Sequence, residues 1–242
     1  AEDLLQVIEK HGADKIAAFI TDPLAGSTGV LVPPKGYLER IREICTQNDI
    51  LLIFDEVITG FGRLGAPFAA QYFDVEPDMI TCAKGLTSGT IPMGAVIVKK
   101  EIYDAYQDGD ANSIDLFHGY TYSAHPMAAA ALISSLDVYT EDNLFERTNE
   151  LASYWEDALH SLKGTSHVID IRNLGLVAGI EMSPREGSPG TRGYDVFTDG
   201  FHNHNLLLRI TGDTLALSPP LIVEKDHIDQ IIDILKKIIP TH

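Results

Sequence analysis

The stretch Ile50-Leu51-Leu52-Ile53-Phe54-Asp55 is an unbroken apolar run that ends at an aspartate. A run that is apolar at every position is typical of a strand buried on both faces, as in a helix-covered and largely parallel sheet. Runs of similar character lie at 16–20, 79–82 and 94–98, and residues with helical spacing occur between them. This alternation predicts an α/β fold with a mostly parallel sheet in the first part of the chain.

The second part of the chain has a different pattern. A long amphipathic helix is predicted from Leu144 to a stop at Gly164, and a closing helix over 228–239. Between them lie short runs that predict antiparallel strands, at 168–171, 176–181 and 214–217. We therefore expect a portion of a large domain at 1–141, followed by a small α+β C-terminal domain at 142–242.

Composition and charge exclude several classes of function. The 242 residues include 35 acidic and 18 basic side chains, which gives a formal net charge of −17. That charge repels nucleic-acid phosphates and anionic membrane surfaces, so we expect neither as a partner. The longest apolar runs have the length of strands, so we expect no transmembrane span. Cys45 and Cys82 have no metal-type spacing with the nine histidines, and we interpret both as reduced thiols of a cytoplasmic protein without a metal site.

Polar residues at predicted strand ends carry the first functional signal. Lys84 follows the run 79–82 among small residues, and Asp55 ends the run 50–54. Ligands of open α/β sheets sit beyond such strand ends, where Asp22 also falls. A lysine that bonds to an aldehyde, with its amine kept neutral by burial, and an acid that keeps a ring nitrogen protonated are what pyridoxal 5′-phosphate requires. Taken alone, Asp55 also fits a helix N-cap and Lys84 a surface lysine in a loop.

Longer motifs surround these two residues. They are Leu52-Ile53-Phe54-Asp55-Glu56-Val57-Ile58-Thr59-Gly60-Phe61-Gly62-Arg63, Pro77-Asp78-Met79, Ala83-Lys84-Gly85-Leu86 and His118-Gly119-Tyr120-Thr121-Tyr122-Ser123-Ala124-His125-Pro126. In this order and spacing they resemble the class III (omega) aminotransferases, which are fold-type I transferases dependent on pyridoxal phosphate. Asp22-Pro23, where many relatives carry Glu-Pro, is similar to the branch that uses omega-amino acids or amines with pyruvate.

The resemblance implies roles for three residues near the first motif. Lys84 would form the internal aldimine with the cofactor and then carry protons. Asp55 would pair with the ring nitrogen of the cofactor. Val57 would pack on one face of the ring, where a stiff β-branched side chain is well placed to fix the tilt of the ring.

The resemblance also implies roles for residues further along the chain. Thr121 would bind the cofactor phosphate of a partner subunit, and its neighbour Tyr120 would also contact the cofactor, which implies at least a homodimer with shared active sites. Arg209 would clamp the substrate carboxylate, because a planar guanidinium pairs bidentately with a carboxylate. Taken alone, Thr121 also fits the end of an aromatic turn, and Arg209 an ordinary arginine at a strand edge.

The implied activity is transfer of an amino group from an amine or omega-amino acid to a keto acid such as pyruvate. A decarboxylase, racemase or aminomutase of the same fold is the nearest alternative. Relatives place a Gly-Ser phosphate loop and much of the substrate pocket before the position of Ala1, where this chain begins without an initiator methionine or a signal-peptide pattern. We therefore expect the C-terminal part of a longer protein, which leaves open an inactive fragment or a subunit that needs the missing half.

Overall fold

The computed structural model describes residues 1–110, 112, 114 and 116–242. In the described chain, the first sheet has four strands in the order β1-β2-β3-β4. Its strands are β1 (Ala18–Thr21), β2 (Leu51–Asp55), β3 (Met79–Cys82) and β4 (Ala95–Val98). The pairs β1/β2 and β2/β3 are parallel, whereas β4 runs antiparallel to β3. The expectation of a mostly parallel sheet is confirmed, with β4 as the exception.

Five helices accompany the first sheet: α1 (Glu2–His11), α2 (Tyr37–Gln47), α3 (Ala69–Phe73), α4 (Lys100–Gln107) and α5 (Pro126–Glu141). The apolar stripe of α2, formed by Leu38, Ile41 and Ile44, is buried against Leu52 and Phe54 of β2 in one core cluster. This packing covers one side of the sheet centre. The carboxyl end of β2 therefore lies on a buried, well-packed core.

The expectation that the strands of the first sheet are buried on both faces is wrong for β4. Val96 is 63 % exposed and Ile97 is 48 % exposed, although both belong to an unbroken apolar run. The physical reason is that successive side chains of a strand point to opposite faces of the sheet, and the described part of the chain covers neither face of β4 at these two residues. Ile20 of β1, at the opposite edge, is likewise exposed.

The second sheet is antiparallel throughout, in the order β5-β6-β8-β7. Its elements are α6 (Leu144–His160), β5 (Val168–Leu174), β6 (Val177–Met182), α7 (Thr191–His204), β7 (Arg209–Thr211), β8 (Thr214–Leu217) and α8 (Lys225–Ile238). The predicted α+β pattern with antiparallel strands is confirmed. The closing helix begins three residues earlier than predicted, at Lys225, where the Nδ1 of His227 accepts a hydrogen bond from the backbone N–H of Glu224 at 3.2 Å and fixes the first turn.

One core cluster joins the two sheets. The fully buried Trp155 of α6 belongs to the same cluster as Ile180 of β6, and as Phe61 and Leu86 from the loops that follow β2 and β3. The predicted boundary at 142 falls in the connection between α5 and α6. Because the core is continuous across that connection, the division into 1–141 and 142–242 stays a prediction.

Candidate active site

The carboxyl ends of β2 and β3 bring Asp55 and Lys84 together. The register of this parallel pair sets Asp55 opposite Thr81. Lys84 comes three residues after Thr81, just beyond the end of β3. One oxygen of the Asp55 carboxylate accepts a hydrogen bond from the backbone N–H of Val57, with 3.0 Å between Oδ1 and N. That bond orients the carboxylate, and no described residue hydrogen-bonds to its second oxygen, which can then face a ligand.

Asp22, at the end of β1, shares the electrostatic environment of these two residues. Burial raises the pKa of the Asp22 carboxyl, and the negative charge of Asp55 raises it further, while the positive charge of Lys84 acts in the opposite direction. Asp55 and Lys84 therefore both lie close enough to Asp22 to affect its charge. The sequence placed Asp22 at a strand end but assigned it no role in binding.

Lys84 is the first residue of a short helical turn, Lys84–Thr87. Its backbone conformation is one that residues other than glycine rarely adopt. Its φ angle is +44°, in the left-handed region, which costs an L-residue roughly 1–2 kcal/mol. The backbone N–H of Gly89 donates to the carbonyl of Lys84 at 3.2 Å and closes the turn. The Lys84 side chain is exposed, so the burial expected from the sequence is not found in this chain.

Lys84 and Arg209 line the same cavity of about 190 Å³, although they are far apart in the sequence. Arg63 is the third basic residue of its wall, and none of the described residues that line it is an aspartate or a glutamate. Arg209 lies on β7, where its Nη2 is 3.4 Å from the carbonyl oxygen of Ser27. Within the described part of the chain Arg209 forms no ion pair, so its guanidinium is available to an anion in the cavity.

Arg63 is a site residue that the sequence reasoning missed. Its Nη1 donates to the carbonyl oxygens of Leu176, at 3.0 Å, and Pro219, at 2.6 Å. Burial lowers the pKa of this guanidinium to about 10, because the charge loses its surrounding water and no described carboxylate compensates for that loss. Arg63 thus ties the loop after β2 to the second sheet and adds positive charge to the cavity.

Glu56 is the second residue that was missed. Its side chain is fully buried, and its carboxylate accepts hydrogen bonds from the Ala69 N–H at 2.5 Å, the Ala70 N–H at 2.8 Å and the Thr59 hydroxyl at 2.8 Å. The backbone N–H of Glu56 donates to the carbonyl of Thr81 on β3. Glu56 therefore fastens the loop between β2 and α3, which contains Val57 and Arg63, to the end of the sheet.

The remaining predicted site residues lie apart from the cavity of Lys84. Val57 follows Asp55 but does not line that cavity, whereas its neighbour Ile58 does. Tyr120 and Thr121 line a separate groove of about 1020 Å³, together with Met93. Both residues are exposed, and the φ angle of Tyr120 is +49°. The structure thus places Lys84 and Arg209 on one cavity and Asp55 at the end of the strand beside β3, outside the lining of that cavity, and does not bring Thr121 to them within one chain.

Comparison with known proteins assigns the class that this fold and site define. The family model of the class-III aminotransferases matches residues 1–239, and the chain belongs to that family. The omega-aminotransferase of Caulobacter vibrioides is 58 % identical over 99 % of this chain and 54 % of that protein. The beta-alanine–pyruvate aminotransferase of Pseudomonas aeruginosa is 48 % identical over 96 % of this chain and 52 % of that protein.

Solved structures agree with this assignment. The chain is 34 % identical to an (S)-enantioselective omega-transaminase from Thermomicrobium roseum, with a TM-score of 0.90 over 98 % of this chain and 54 % of that one. The predicted family, the predicted resemblance to the omega-amino acid branch and the transaminase fold are therefore confirmed. The chain spans about half the length of the curated relatives it matches.

Proposed function

We propose that the whole protein is an aminotransferase that moves an amino group from an omega-amino acid or amine to a keto acid such as pyruvate, with pyridoxal 5′-phosphate held at Lys84. One observation carries the proposal. The amine of Lys84 and the guanidinium of Arg209 line a single cavity, and Asp55 lies at the end of the adjacent strand. A covalent anchor, an acid and a carboxylate-binding group are thus assembled from distant parts of the sequence.

The donor set fits pyridoxal phosphate. Lys84 supplies the amine that its aldehyde needs, and Asp55 has a carboxylate oxygen that no described residue bonds, which would accept from the protonated ring nitrogen. When bound, the cofactor withdraws electrons from the carbon that carries the substrate nitrogen, so that this carbon loses a proton more easily. The Nζ of Lys84 is the group beside the cavity that takes and returns that proton. Val57, whose N–H orients Asp55, would pack against the ring.

Arg209 would hold the carboxylate of the omega-amino acid or of the keto acid. A guanidinium has five N–H donors, and in the described chain Arg209 commits one of them to a weak 3.4 Å contact. A cavity wall with three cations and no described acid favours an anionic ligand. Thr211, on the same strand, donates to the carbonyl of Ser27 at 3.0 Å and so holds the strand of Arg209 in place.

Thr121 and Tyr120 would serve the cofactor of a partner subunit, so we propose a homodimer with shared sites. The turn that contains them lies among exposed apolar side chains, including Phe117 at 91 % and Tyr122 at 83 % exposure. Exposed apolar surface of this kind marks an interaction site. A partner subunit, or further chain of the length seen in the relatives, would cover it.

We place the protein in the cytoplasm. No described helix is long and apolar enough to cross a bilayer.

Borohydride trapping tests the anchor. Purified protein incubated with pyridoxal phosphate and then reduced should carry one pyridoxyl group, located on Lys84 by peptide mass spectrometry. Lys84→Ala should lose the label, and Lys163→Ala, which removes an exposed lysine of the second part, should keep it. A label that persists in Lys84→Ala, or that sits on another lysine in the wild type, would show that the anchor is wrong.

The requirement for a keto acid tests the reaction. Beta-alanine, taurine, alanine and an aryl-alkyl amine are each incubated with the protein, with and without pyruvate. An aminotransferase forms product over many turnovers only when the keto acid is present. Sustained product without pyruvate would instead favour a decarboxylase, racemase or aminomutase.

A further inference from the structure

The backbone that carries Lys84 needs support from elsewhere in the structure. Lys84 has a φ angle of +44°, and Ser88, at the end of the same turn, has a φ angle of +50°. Each such conformation costs a non-glycine residue about 1–3 kcal/mol and persists only when its surroundings hold it. Within the turn itself, the N–H groups of Ser88 and Gly89 bond the carbonyls of Gly85 and Lys84.

Tyr139 supplies support from outside the turn. Its hydroxyl donates to the carbonyl oxygen of Gly85 at 2.6 Å, and the hydroxyl of Ser88 lies 3.2 Å away. A phenol has a single hydrogen, so Ser88 must be the donor in the second bond. Tyr139 therefore connects both ends of the turn through one oxygen atom.

The position of Tyr139 is itself well determined. It lies in the last two turns of α5, is buried, and stacks on Phe61 with 6.1 Å between ring centroids and 21° between ring planes. The ring of Phe145 lies 5.5 Å from it on α6. Tyr139 lines the same cavity as Lys84. The core between the two sheets thus holds the phenol oxygen against the turn.

We propose that Tyr139 is a positioning residue that holds the Lys84 turn in its left-handed conformation and so keeps the Lys84 amine directed to the cavity. This inference rests on the proposed function for its consequence in cofactor binding. The structural part stands independently, because it concerns the stability of the turn alone.

Hydrogen exchange tests the structural part. Tyr139→Phe removes only the hydroxyl, and Tyr154→Phe is a matched control that removes a hydroxyl bonded to Asp229 at 2.6 Å in another region. We expect exchange at the Ser88 and Gly89 amides to become about fivefold faster in Tyr139→Phe, which corresponds to the loss of about 1 kcal/mol for one net hydrogen bond. Tyr154→Phe should leave both amides unchanged.

The rate of covalent incorporation tests the consequence for Lys84. The rate of borohydride-trapped labelling by pyridoxal phosphate should fall about fivefold in Tyr139→Phe, if the open turn no longer presents the amine. Unchanged exchange at both amides, or an equal rise at all amides, would overturn the proposal, because the effect would then be absent or global. If the wild type labels at Lys84 and Tyr139→Phe labels at the same rate, the positioning role fails while the proposed function stands.

A second variant covers the case in which Tyr139→Phe does not fold. Ser88→Ala removes the other hydroxyl of the pair and leaves the phenol bond to Gly85. It should accelerate exchange at the Gly89 amide in the same direction but by less, about twofold to threefold. No change at Gly89 in this variant would count against the proposal. If wild-type protein shows no label at Lys84, the proposed function fails, whereas the exchange results still decide the role of Tyr139.

Discussion

Replacing Glu56 by alanine should destabilise the protein more than any other single change to a charged side chain near the site. The carboxylate is fully buried and serves three donors, the N–H groups of Ala69 and Ala70 and the hydroxyl of Thr59. Leaving one buried donor without a partner costs about 1–3 kcal/mol. The cost for three such donors is partly offset, because water can enter the vacated space and the variant no longer buries a charge. We therefore expect the free energy of unfolding to fall by about 3–4 kcal/mol.

Two comparison variants separate the hydrogen bonds from the charge. Glu56→Gln keeps one acceptor oxygen and presents an NH₂ group to a backbone N–H, so it should cost about 1–2 kcal/mol. Glu150→Ala removes an exposed glutamate in the middle of α6 and should change the free energy of unfolding by less than about 0.5 kcal/mol. Urea denaturation followed by circular dichroism measures all three.

The loss should also depend on pH in a defined direction. Burial raises the pKa of Glu56 above its ordinary value of 4.5, and its three hydrogen bonds oppose that shift without cancelling it. The folded protein then binds this proton more tightly than the unfolded chain does, so the contribution of Glu56 to stability falls as the pH rises from about 4.5 through the raised pKa. The difference between wild type and Glu56→Ala should therefore be larger near pH 5 than near pH 8. A difference below about 1 kcal/mol, or one that grows with pH, would refute this account of the buried carboxylate.

Two further predictions concern ligand binding. Arg209→Met should raise the KM for beta-alanine about tenfold or more in the donor half-reaction, because a charged hydrogen bond contributes about 1.5–3 kcal/mol. The KM for an amine donor without a carboxylate should stay unchanged. Equal effects on both donors would contradict a carboxylate clamp. Thr121→Ala should weaken retention of pyridoxal phosphate on dialysis without lowering the urea midpoint, whereas Thr140→Ala, which changes an exposed helical threonine, should do neither. Unchanged retention in Thr121→Ala would contradict a shared site.

The sequence predicted the elements whose signals are local. The apolar run at 50–54 and the aspartate after it became β2 and its carboxyl end, and Lys84 follows β3 as expected. Strand length and apolar character depend on neighbouring residues, and the meeting of strand ends follows from parallel pairing. The anchor and its acid were therefore within reach of sequence reasoning.

The features that were missed depend on contacts between distant residues. Arg63 bonds to carbonyls 113 and 156 positions away, and backbone carbonyls leave no mark in the sequence. Glu56 is buried because α3 folds back and its first two backbone N–H groups bond to the Glu56 carboxylate. Nothing in the residues around Glu56 distinguishes it in the sequence from an exposed acidic residue. Exposure of β4 was missed for a related reason, since an apolar strand has the same sequence pattern whether or not distant elements cover its two faces.

The continuous core has a consequence for how the protein responds to heat and denaturant. Trp155, the sole tryptophan, shares one apolar cluster with Leu86, two residues from Lys84. Side chains in such a cluster cannot separate without exposing the others to water, so we expect the two sheets to lose their structure together rather than one after the other. The fluorescence of a single indole in the antiparallel sheet region therefore reports on the turn that carries the reactive lysine, and it provides a built-in optical probe of that turn.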